Sequence, residues 1–134
     1  MDIFPISLKL QQQPCLIVGG GRIAYRKAVL LAQAGATISV VSPEIEPDLL
    51  ELVRSTQGQY LQTVFDLTLQ LRDYRLVIAA TNDAATNKAV FEACEAEKIL
   101  VNSVDDPPHC RFMVPAIVDR SPLVISIATN GQSP

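Results

Sequence analysis

No apolar run in these 134 residues approaches the roughly 20 needed to cross a bilayer. The opening Met1-Asp2-Ile3-Phe4-Pro5 also lacks the basic and apolar regions of a signal peptide, so a cytoplasmic protein is the expectation. Positive charge is not in excess: eleven Lys and Arg against fourteen Asp and Glu give a net charge of −3. Such a chain has no field with which to hold a nucleic-acid backbone or an anionic membrane surface, and neither is expected as a partner. Cysteine is sparse. Cys15, Cys94 and Cys110 are odd in number and form no C-x-x-C pair, which excludes a disulfide framework and suits buried thiols in a reducing compartment. His109 is the one histidine, and with Cys110, Asp105 and Asp106 it makes a poor metal site; a surface histidine and no resident metal are expected. The length leaves no room for a separate substrate domain.

What remains is an apolar chain, 49% hydrophobic and 19% charged, with ample material for a core. Its mean hydropathy of +0.24 hints at apolar surface destined for a subunit interface. Strand and helix patterns alternate over about the first hundred residues. Residues 15–18 form a continuous apolar run of the kind expected in a parallel strand covered on both faces, and glycines stop it. Ala24, Ala28, Leu31 and Gly35 then recur at helical spacing, with Gly35 placed to end the helix.

Thr37 to Val41 reads as the second strand, after which Ser42 caps and Pro43 begins a helix carrying Ile45, Leu49, Leu52 and Val53, broken at Gly58. Residues 59–64, 76–80 and 99–101 read as further strands. A helix from about Asp83 to Lys98, with Asn87, Val90, Phe91 and Cys94 inward, joins the last two. This succession predicts an α/β fold, a Rossmann-like doubly wound parallel sheet. Beyond residue 105 the helices stop. Residues 112–114, 116–118 and 123–128 look strand-like, with Asp119-Arg120-Ser121-Pro122 as a turn. The expected division is a nucleotide-binding domain over 1–111 and a strand-rich extension over 112–134. The close, with Ser133-Pro134 resembling the cap and first position of a helix, suggests a piece of a longer protein.

Gly19-Gly20-Gly21-Arg22-Ile23-Ala24 fits G-x-G-x-x-G/A directly between a strand and a helix, the context that gives the pattern meaning. Gly19 permits a tight turn, Gly21 lets the backbone approach a pyrophosphate, and Ala24 lets the helix lie close to the sheet. The helix N-terminus offers N–H groups and partial positive charge. At the end of the second strand, where an acid usually binds the ribose of NAD, stands Ser42, followed by Pro43 and Glu44; Glu44 can supply the missing acid, which favours NAD over NADP. Thr81 and Asn82 leave the fourth strand at the same edge, either to touch the cofactor or to enter a helix cap at Asp83. Asn102-Ser103-Val104-Asp105-Asp106-Pro107-Pro108 leaves the fifth strand there as an acidic loop or a solvated turn.

These residues together, with Ala79-Ala80-Thr81-Asn82-Asp83, Phe112-Met113-Val114-Pro115-Ala116, Asp119-Arg120-Ser121-Pro122-Leu123 and the close Ala128-Thr129-Asn130-Gly131-Gln132-Ser133-Pro134, resemble the dehydrogenase and ferrochelatase domain of siroheme synthases over nearly the whole chain. The resemblance implies NAD-dependent oxidation of precorrin-2 to sirohydrochlorin, with some members also inserting Fe²⁺. It places the family's catalytic aspartate on Asp105, with Asp106 the local rival, and cofactor contacts on Arg22, Ile23, Pro43 and Glu44. It also implies a homodimer completed by a helical region that this chain lacks. Dehydrogenation gives up a hydride and a proton, and a carboxylate beside the cofactor suits the proton. The substrate's carboxylates make Arg111 and Arg120 candidate partners, with Thr129 and Asn130 in the loop that follows. From a different class, a non-catalytic NAD(H)-sensing regulatory domain would have the same fold and no need of Asp105.

Overall fold

The computed structural model describes residues 1–130. The cap and helix start read at Ser133-Pro134, with Gly131 and Gln132, lies outside the described residues. Five strands form one parallel sheet: β1 (Pro14–Val18), β2 (Thr37–Val41), β3 (Tyr60–Leu61), β4 (Leu76–Ala79) and β5 (Leu100–Ser103). Their order is β3-β2-β1-β4-β5, the doubly wound arrangement that reverses direction on either side of β1. Helices α1 (Arg22–Gln33), α2 (Pro47–Ser55) and α3 (Ala84–Ala96) form three of the crossovers, while the connection from β3 to β4 holds only a short 3-10 turn at Leu71–Asp73.

The apolar run of β1 is explained by its two covered faces. Cys15 and Ile17 pack with Ala24, Ala28 and Leu31 of α1 and Leu49 and Val53 of α2. Leu16 and Val18 pack with Val90 and Cys94 of α3. A strand buried on both sides has no polar alternation to show. Gly35 ends α1 as expected, with a φ of +85° that disfavours any side chain. Cys15 and Cys94 are fully buried, and burial pushes their thiols up to about 11 and about 12, so both stay protonated and inert.

Several expected boundaries move. Helix α2 begins at Pro47 with Glu46 at its cap, not at Pro43, because residues 42–46 fold back over the glycine loop: the Glu46 N–H donates to the Gly20 carbonyl at 2.8 Å. Pro47 still serves as the first-turn proline. Strand β3 is only Tyr60–Leu61, since it is the sheet edge and has a ladder partner on one side alone. Strand β5 runs one step later than the apolar run, taking in Asn102 and Ser103. Residues 112–114 are not a strand. There the backbone crosses the edge of β5, fixed by Asn102 Nδ2 donating to the Phe112 carbonyl at 2.9 Å and by the Arg111 N–H on the Val101 carbonyl at 2.7 Å. Beyond lies a separate antiparallel hairpin, β6 (Ala116–Arg120) and β7 (Leu123–Ile127), every residue of it exposed.

Candidate functional site

The register brings four loops to one edge. Val18 pairs with Val41 on one side and Ala79 on the other, and Ala79 pairs with Ser103, so four strands end level. The residues after them close the ladder for one more step: Gly19 N–H to Val41 O at 3.0 Å, Ala80 N–H to Val18 O at 2.8 Å and Val104 N–H to Ala79 O at 3.0 Å. From this carboxyl edge, at the switch point between β1 and β4, open α/β sheets offer their ligand crevice.

A cleft of about 920 Å³ lies there, lined by Gly19, Gly20, Gly21, Arg22 and Ile23, by residues 42–47, by Ala80, Thr81 and Asn82, and by Val104 and Asp105. Every residue singled out above for the cofactor stands in that wall, and Asp105 stands with them. Each glycine of the loop answers to a different constraint. Gly19 has a φ of +129°, and a Cβ on it would lie 2.2 Å from the Ala80 carbonyl oxygen. A Cβ on Gly20 would lie 1.9 Å from the Glu44 carbonyl oxygen, because residues 42–46 rest directly on it. Gly21 has nothing within 4 Å, and no side chain caps the α1 N-terminus that it precedes. The N-terminus of α1 is thus left without a side-chain cap, and Gly21, Arg22 and Ile23 line the cleft. The donor set fits a pyrophosphate: backbone N–H groups at a helix N-terminus, with a bare glycine in front.

The second-strand loop is anchored from below. Tyr60 Oη donates to the Ser42 carbonyl at 2.9 Å. Burial, and then the charge of Glu44, push the Tyr60 hydroxyl above its ordinary value, so it stays a donor through neutral pH. Arg22 spans the rim, its guanidinium 3.3 Å from Glu46, 3.4 Å from Asp48 and 4.9 Å from the centre of the Tyr25 ring.

At the fourth strand the cleft wall and the helix cap adjoin. Thr81 and Asn82 line the cleft, while Asp83 caps α3 by accepting from the Ala85 N–H at 3.2 Å. Asn87, read from spacing as part of the inward stripe, has a further role: its Oδ1 accepts from the Thr81 N–H at 3.1 Å and its Nδ2 donates to the Thr81 carbonyl at 3.1 Å. One amide side chain thus fixes the backbone of the loop. An Asn on the buried side of a helix, one turn past its cap, was the available signal.

In the acidic loop the two aspartates part company. Asp105 sits at a φ of +59° and lines the cleft; Asp106 turns away and bonds His109 Nδ1 at 2.5 Å. His109 is accordingly not a solvated surface histidine: it is half-buried, with its ring 4.9 Å from that of Phe91. Cys110 Sγ contacts the Ser103 carbonyl at 3.2 Å, and burial raises its thiol. Among the described residues no group of three or more His, Cys, Asp and Glu is arranged to hold a metal ion.

The four residues read as substrate partners stand outside the cleft. Arg111 is ion-paired with Glu95 of α3, which draws the Glu95 carboxyl below its usual range. Arg120, in the hairpin, donates to the Asp119 carbonyl at 3.0 Å. Thr129 and Asn130 follow β7, and Asn130 Oδ1 accepts from the Asp2 N–H at 3.1 Å. No helix among the described residues is long and apolar enough to cross a membrane.

Comparison with known proteins agrees with the resemblance carried by the motifs. The siroheme synthase of Acinetobacter baylyi is 61% identical over all 134 residues, which are 29% of that protein. That of Methylobacillus flagellatus is 48% identical over the same residues, 28% of its length. The chain thus spans less than a third of these curated relatives. Among solved structures, SirC, a precorrin-2 dehydrogenase, superposes with a TM-score of 0.78 at 31% identity, over 98% of this chain and 64% of that one. A family model described as "Putative NAD(P)-binding" matches residues 6–116, which hold the whole parallel sheet and all four loops of the cleft. The chain belongs to this NAD(P)-binding family.

Proposed function

We propose that this chain is the dinucleotide-binding and catalytic part of a precorrin-2 dehydrogenase, binding NAD against the glycine loop and taking a proton from the substrate at Asp105. The observation that carries the reading is that Asp105 and the glycine loop share one cleft. The siroheme synthase relatives and the SirC neighbour supply the substrate class.

The fit to NAD rests on the chain's own groups. The N–H groups that open α1 receive the pyrophosphate, with Gly21 leaving its backbone bare. Ser42 and Glu44, at the end of β2, offer a hydroxyl and a carboxylate to the ribose, a pairing that suits a free 2′-OH and favours NAD over NADP. Thr81 and Asn82 close the opposite wall. Bound there, the nicotinamide supplies the hydride acceptor. Precorrin-2 gives up two electrons and two hydrogens in becoming sirohydrochlorin, one hydrogen leaving as hydride and the other as a proton. Asp105 accepts that proton, while Asp106, engaged by His109, does not compete for it.

The same reading takes the active protein as a homodimer, supported by the apolar side chains that β6 and β7 leave exposed. It allows a second use of Asp105, removing pyrrole protons as Fe²⁺ enters sirohydrochlorin.

The test is anaerobic turnover of precorrin-2 with NAD⁺, followed by absorbance, in the protein made at the length of its relatives and in its Asp105→Ala variant. Sirohydrochlorin should appear with the parent and fall by at least roughly a hundredfold in the variant, with NAD⁺ binding intact in both. A folded parent that binds NAD⁺ and turns nothing over would refute the dehydrogenase and leave the NAD(H) sensor.

A further inference from the structure

We infer that Glu46 and Asp48 determine which nicotinamide nucleotide the cleft accepts, by holding Arg22 so that it cannot receive a 2′-phosphate. The inference rests on the NAD reading above and names the residues that enforce it.

Arg22 is the only Lys or Arg lining the cleft among the described residues. It follows Gly21 and faces the loop that leaves β2, which is where the adenosine ribose is held in this fold. A guanidinium at that place is what a site for a 2′-phosphate needs, since its fork matches phosphate oxygens. On composition alone, then, Arg22 argues for NADP. The geometry argues the other way. One guanidinium nitrogen lies 3.3 Å from Glu46 Oε2 and 3.4 Å from Asp48 Oδ2, and the Tyr25 ring supports the group from another side at 4.9 Å.

Charge adds to position. The rim carries three carboxylates, Glu44, Glu46 and Asp48, against one guanidinium, so a phosphate close to doubly negative meets net repulsion while a neutral 2′-OH does not. These ion pairs are solvent-exposed, with Arg22 52% and Asp48 61% accessible, and such pairs add little to folding stability. Their consequence is local, within a screening length of about 8 Å. The fold itself sets the arrangement. Because residues 42–46 rest on Gly20, α2 starts at Pro47, and its cap residue Glu46 and first-turn Asp48 meet the first residue of α1.

The experiment compares dissociation constants of NADH and NADPH, read from nucleotide fluorescence, for the parent, Glu46→Gln/Asp48→Asn, and the same pair combined with Arg22→Gln. The parent should favour NADH. The double variant should shift the ratio toward NADPH by roughly tenfold, about one charge-assisted contact. Adding Arg22→Gln should cancel that shift. An unchanged ratio in the double variant overturns the inference, and so does a gain that survives without Arg22, which would be general charge relief. A folded parent that binds neither nucleotide overturns the dinucleotide reading beneath it, a separate failure seen before any variant is made.

Discussion

Strand β1 reads Pro-Cys-Leu-Ile-Val and strand β7 reads Leu-Val-Ile-Ser-Ile, two segments of similar length and comparable apolar content. Cys15, Leu16 and Ile17 are wholly inaccessible, whereas Leu123, Val124 and Ile127 are each about 60% exposed. The difference lies in the neighbours. β1 has a strand on each edge and helices on each face, while β7 has β6 alone, and no helix among the described residues covers either side of the pair. Burial of apolar side chains is the dominant favourable term in folding, and a two-stranded hairpin cannot supply it by itself. Apolar content therefore gives the tendency to be a strand, and topology decides whether that strand contributes to stability.

The largest expected effect tests this directly. Leu16→Ala should cost about 2–5 kcal/mol in denaturant unfolding, since it opens a cavity at the centre of the sheet. Val124→Ala, on an open surface, should stay within about 0.5 kcal/mol. Equal costs would break the comparison. Val124→Ala can also sharpen it: in the protein made at the length of its relatives, a cost rising above about 1 kcal/mol would mean that something there covers the hairpin.

Next in size is a contrast inside one loop. Gly20→Ala forces a methyl into the Glu44 backbone and should destabilise by about 1–3 kcal/mol, the usual range for overpacking. Gly21→Ala meets no atom within 4 Å and should cost no more than about 1 kcal/mol, the difference between glycine and alanine at a helix cap. The order should reverse when NAD⁺ binding is measured on whatever remains folded, because the Gly21 methyl fills the space left for phosphate. Gly21→Ala with unchanged affinity would show that the anion sits elsewhere.

How far the sequence could be read follows the same division between local and non-local causes. The sheet was legible because buried parallel strands announce themselves as short apolar runs, and the G-x-G-x-x-A spacing falls on a loop that lines the cleft. What was missed depends on contacts between segments far apart in the chain. Ser42 and Pro43 look like a cap and a first helical turn, and only the fit of residues 42–46 onto Gly20 delays α2 to Pro47. Phe112-Met113-Val114 has the composition of a strand but is held by Asn102 as a crossing segment. The ion pair of Arg111 with Glu95, on a different element, is also not visible in the sequence. Asn87, His109 and the Glu46–Arg22–Asp48 group are likewise set by partners that no spacing rule names.

The smallest effect concerns acid. Asp83 caps α3, and its carboxyl is held below its ordinary 3.8, first by the Thr86 hydroxyl at 2.7 Å and then by the Ala85 N–H. A carboxyl whose value is lower in the folded than in the unfolded chain binds its proton more readily when unfolded. Its contribution is therefore fully present above the ordinary value and is lost as pH falls through the folded one. Stability measured by thermal unfolding should thus be level with respect to this group above about pH 5 and decline below about pH 4. Asp83→Asn should make that decline shallower, and Glu95→Gln, which removes the partner of Arg111, should do the same independently because the two sites share no contact. A decline unchanged in Asp83→Asn would mean that the cap does not distinguish folded from unfolded chain, and that α3 is held by Val90 and Cys94 against the sheet alone.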